Sequence, residues 1–76
     1  MEQFMPQSHV VIDMEILGGT PVFTGTRVPV RILFEHLEAG DSLDVFLSDF
    51  PSVDRNLAVA VLQEAREALV HDAHPA

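Results

Sequence analysis

A chain of 76 residues, 47% of them hydrophobic and none of them cysteine, carries twelve acids against four basic residues, for a formal net charge of −8. At this size a chain buries only about 60% of the surface its unfolded form exposes, and no disulfide framework compensates, so the apolar excess points to association with itself or with a partner. All four basic residues are arginine, which opposes free-standing nucleic-acid affinity, a product of Lys and Arg neutralising phosphates, and favours a basic partner.

Residues 1–8 show no periodic pattern and are expected to be loose. They lack the basic start and apolar core of a signal peptide, and no apolar run is long enough to span a bilayer, so the chain reads as cytoplasmic without membrane attachment. Residues 9–12 form a short β-branched run that predicts a strand. Residues 13–17 predict a single helical turn or a bend, ended by Gly18 and Gly19. Residues 20–23 predict a second strand, with Pro21 tolerated because an edge strand can spare one donor. The two would pair as a hairpin, which is marginal alone and must lie on the helices or pair with a second chain.

From Pro29, suited to the first position of a helix, the period becomes helical. Val30, Leu33, Phe34 and Leu37 lie at i, i+3, i+4, i+7, and Gly40 stands as the C-terminal stop. Ser42 is a good N-cap for a second helix of barely two turns, Asp44 suits its positive end, and Leu43, Phe46, Leu47 and Phe50 repeat the spacing before Pro51 forbids continuation. Asp54 caps a third and longest helix, preceded by Val53 and carrying Leu57, Val61, Leu62, Ala65 and Leu69, with the pattern fading over residues 71–76. The predicted fold is mainly α: a three-helix bundle with a helix-turn-helix pair, preceded by a short β-hairpin, in one domain over residues 9–70 with a tail at 71–76.

Little in the chain asks for catalysis or a cofactor. Gly18, Gly19 and Gly25 are not followed by the Gly-Lys-Ser/Thr of a phosphate cradle. His71 and His74 are two ligands without a second pair, which does not close a zinc site. No nucleophile, base and orienting group are drawn together, so no catalytic, metal or cofactor-binding residue is assigned and an enzyme is not expected. Arg27, just before Val28 and Pro29, has two readings: a bond to a carboxylate or loop carbonyls that fixes the strand-to-helix corner, or contact with phosphate. Arg55 and Asn56, exposed at the start of the third helix, occupy the positions from which a recognition helix reaches bases or phosphates. Farther along, the outward residues are Gln63, Glu64, Arg66 and Glu67, whose carboxylates would be repelled by a phosphate backbone.

The order Gly19-Thr20-Pro21-Val22-Phe23-Thr24-Gly25-Thr26-Arg27-Val28-Pro29-Val30, followed by Gly40, Ser42, Phe50-Pro51 and the final helix, resembles the bacterial family catalogued as domain of unknown function 433. Gly19, Pro21, Gly25, Thr26, Arg27 and Pro29 make up its signature turn here. Thr20 stands where the family often has lysine, and Thr24 where it often has a basic residue, so this signature has lost positive charge. The resemblance implies a homeodomain-like helix-turn-helix and, because several members sit beside PIN-like ribonuclease toxins in the manner of VapB-type antitoxins, an antitoxin and autoregulator. Its implied partners are a cognate basic toxin and operator DNA. The alternative is a protein-interaction or dimerisation module with no DNA function. A homodimer joined through the hairpin strands around residues 10–12 and 22–23, with or without apolar residues of the third helix, serves either.

Overall fold

The computed structural model describes residues 9–72. A two-stranded antiparallel hairpin, β1 (Val10–Val11) with β2 (Val22–Phe23), precedes three helices, α1 (Val30–Glu38), α2 (Leu43–Asp49) and α3 (Arg55–Asp72). The register pairs Val10 with Phe23 and Val11 with Val22. Both strands are half the expected length: toward their connection the chain bonds locally, the Ile16 amide donating to the Asp13 carbonyl and the Thr20 amide to the Leu17 carbonyl, while at the other end the Thr24 amide still donates across to the His9 carbonyl. Residues 1–8, expected to be loose, and 73–76 of the expected tail lie outside the described residues, and α3 is described as far as Asp72.

The reading of β2 as an edge strand is corrected. Val22 also bridges Pro29, the Phe23 amide donates to the Val28 carbonyl, and the Val30 amide donates to the Pro21 carbonyl, so β2 lies between β1 and the segment entering α1. Pro21 is harmless because it sits just ahead of β2, where only its carbonyl is used. Pro29 is likewise not the first helical residue but the N-cap, extended at φ −63° and ψ 136°, and its missing N–H leaves that flank of the sheet one donor short. Val22 and Phe23 are fully buried in the chain's own core, so they offer no surface for the expected dimer.

The connecting loop is closed by two features of the signature. Gly25 holds the φ of 76° that a type II turn asks of its third residue, in a turn where the Thr26 amide donates to the Phe23 carbonyl. The Thr26 hydroxyl donates to the same carbonyl and accepts from the Val28 amide.

The helix ends at Gly40 and Ser42 follow the expected chemistry. Gly40 (φ 91°) ends α1 in a Schellman motif: its amide donates to Leu37 and the Asp41 amide to His36. Ser42 caps α2 by accepting from the Val45 amide. At α3 the Asp54 carbonyl accepts the opening bond from Ala58, and among the described residues the Asp54 side chain makes no cap bond. Phe23, Leu33, Phe46, Val53, Ala58 and Val61 form one contiguous core, with the Phe23 and Phe46 rings 5.8 Å apart. On α3 the expected stripe is only partly buried: Val61 is inside, Leu57, Leu62 and Ala65 are half-buried, and Leu69 is 71% exposed. Residues 66–71 are all exposed, since α3 outruns the elements that cover its first turns.

Candidate nucleic-acid interface

The turn between α2 and α3 is tight because Pro51 cannot extend α2 and the Val53 amide donates back to the Phe50 carbonyl while the Val53 side chain drops into the core. Arg55 and Asn56 then emerge exposed on the first turn of α3, as expected. Arg55 is not unengaged, however. Its Nη2 pairs with Asp44 Oδ1, a carboxylate in the first turn of α2, where the helix dipole favours negative charge. The pair bridges the two helices of the turn, with side chains 56% and 76% exposed, and adds little stability at such exposure.

Arg27 is exposed and, among the described residues, has no hydrogen bond or ion pair, so the expected carboxylate or carbonyl anchor at this corner is absent there. The corner is held instead by the Thr26 hydroxyl and the backbone bonds of Val28 and Val30. No hydrogen bond or ion pair among the described residues joins Arg27 to Arg55 or Asn56. Of the other signature residues, Pro21 joins Thr20, Val30, Arg31 and Phe34 in lining a shallow groove of about 270 Å³ against α1, while Gly25 and Thr26 shape the turn. Arg31 is taken by Glu35 one turn along α1, at 2.9 Å.

Two junctions went unread in the sequence. His36, in the last turn of α1, places Nδ1 at 2.9 Å from Asp41 and Nε2 at 3.7 Å from Asp49, with its ring edge-on to Phe46 and Phe50. It takes the place of the apolar contact that usually accompanies a Schellman motif and ties the end of α1 to α2. Its position three residues after Leu33, in a helix's last turn, was the available signal. His9 Nδ1 pairs with Glu64, fastening the start of β1 to α3 across 55 positions that no local pattern connects. Among the described residues no group of His, Cys, Asp and Glu could hold a metal ion, and no helix is long and apolar enough to cross a membrane.

A hairpin-fronted three-helix domain with a tight turn ahead of its last helix is the class that this fold and site define. The family described as "Protein of unknown function (DUF433)" matches over residues 10–65, and the chain belongs to it. The chain is also similar to "Uncharacterized protein y4eO" of Sinorhizobium fredii (strain NBRC 101917 / NGR234), with 50% identity over 40 residues. That stretch is 53% of this chain and 18% of the relative, so the chain spans under a fifth of the curated relative it matches. No solved structure gives a significant match.

Proposed function

We propose that this protein is the antitoxin half of a two-component pair, binding a basic toxin of the PIN-like ribonuclease type and, through the start of α3, its own operator DNA. The observation that carries the reading is the α2–turn–α3 arrangement presenting Arg55 and Asn56 outward, on a chain whose net charge of −8 suits a basic partner. The family resemblance supplies the toxin class. An adjacent reading frame encoding a PIN-like domain is the cheapest support. Association with that gene product should slow as salt rises, because screening weakens steering between exposed charges, and a rate unchanged between low and high salt would overturn the partner. For DNA, Arg55→Ala should weaken binding to the upstream duplex and lower the salt slope by about one unit. A variant binding as well as its parent removes α3 from that role.

The second reading, an interaction or dimerisation module without DNA binding, draws on apolar surface that serves the first reading as well. Ile12, Leu69 and Val70 are each about 70% exposed, so the β1 side of the hairpin and the end of α3 offer apolar surface to a second copy. Sedimentation of the protein as a stable monomer at micromolar concentration would overturn the homodimer, and failure to bind DNA of any sequence, the upstream duplex included, would leave the second reading standing over the first.

A further inference from the structure

Arg55 can serve one anion at a time on the Nη2 that now faces Asp44. A guanidinium recognises phosphate best through two parallel donors, and a carboxylate already seated on the fork leaves fewer of them for a second oxyanion. Asp44 has its own reason to stay where it is, since it occupies the first turn of α2. It also carries negative charge to the face that a phosphate backbone would have to approach. Because both side chains are largely exposed, the pair opens readily, so Arg55 is restrained rather than locked.

We propose that Asp44 is an internal competitor for phosphate, an autoinhibitory contact that lowers the affinity of α3 for DNA until another cation takes the carboxylate. This deepens the proposed DNA role of Arg55 and rests on it. It also gives a route by which a basic partner tightens DNA binding: a partner cation on Asp44 releases Arg55, and by linkage DNA on Arg55 presents Asp44 to the partner.

The test is fluorescence anisotropy with two labelled duplexes, one from upstream of the gene and one unrelated, using the full chain and variants whose folding is confirmed by thermal melting. Asp44→Asn should tighten binding to both duplexes by about two- to five-fold, the range expected for removing an exposed pair, because a phosphate contact carries no sequence information. Asp54→Asn removes the same charge from the residue next to Arg55 in the chain and keeps a residue type suited to an N-cap, so it isolates a general charge effect and should give a smaller gain. In an Arg55→Ala background, Asp44→Asn should give no more than the small gain of Asp54→Asn, the general effect of removing one negative charge. Asp44→Asn binding no tighter than the parent, Asp54→Asn matching it, or the full Asp44→Asn gain persisting without Arg55 would each overturn the competitor while leaving the DNA role standing. Arg55→Ala binding like the parent would overturn both.

Discussion

In the hairpin half of the molecule Val22 and Phe23 are wholly buried although each strand has only two residues, whereas in the helical half Leu33, Phe46, Ala58 and Val61 are buried on helices whose apolar positions recur every three or four residues. The turn that leaves β2 is fixed by single devices, one hydroxyl at Thr26 and one left-handed glycine at Gly25. In the helical half many equivalent positions share the burial. The difference teaches that the signature stretch is architecture first: its chemically conspicuous residues mostly close a turn, and its apolar pair completes a core that the helices cannot fill alone.

The largest expected effect tests that last point. Phe23→Ala and Phe46→Ala each empty a fully buried ring site, and a loss of about 3–5 kcal/mol is expected for either, close to the whole stability of so small a domain. Urea denaturation followed by circular dichroism should find both variants largely unfolded. A stable Phe23→Ala protein beside an unfolded Phe46→Ala one would break the equivalence of the halves. Gly25→Ala and Gly40→Ala come next. Both glycines have φ between 76° and 91°, and an added Cβ would meet nothing within 4 Å, so each change isolates backbone strain of about 1–2 kcal/mol. Equal shifts in melting temperature would show that a hairpin turn and a helix stop depend on the same device, and an unaffected Gly25→Ala would make the turn dispensable. The smallest effect belongs to Leu69→Ser, which should move stability by less than about 0.5 kcal/mol because that residue touches solvent. A larger loss would mean that the end of α3 is already covered, as in a dimer.

The helical half was legible because its signals are local: a cap at Ser42, stops at Gly40 and Pro51, and stripes at helical spacing. Ala58 lies outside the apolar stripe read from the sequence, yet it is fully buried in the core beside Val61, since a small side chain lets the helix approach its neighbours closely. The centrality of β2 could not be read, because its second neighbour is not a strand pattern but a proline-bearing corner. The candidate site was half legible. Helical order placed Arg55 and Asn56 outward, but the partner of Arg55 lies eleven positions upstream on another helix, where Asp44 looked sufficiently explained by the dipole of α2.

The overhang of α3 gives the helix a gradient along its length. Its early turns are clamped through Ala58 and Val61, while residues 66–71 are exposed and make, among the described residues, no hydrogen bond or ion pair outside the helix, and a helix end so supported opens at low free energy. Amide exchange should therefore quicken steadily from the buried turns toward Val70, with α3 behaving as a rod of adjustable length rather than a fixed one. Anything that settles on Leu69 and Val70 would lengthen the protected part, so the exchange profile of this one helix is a reporter of whether its exposed end is occupied.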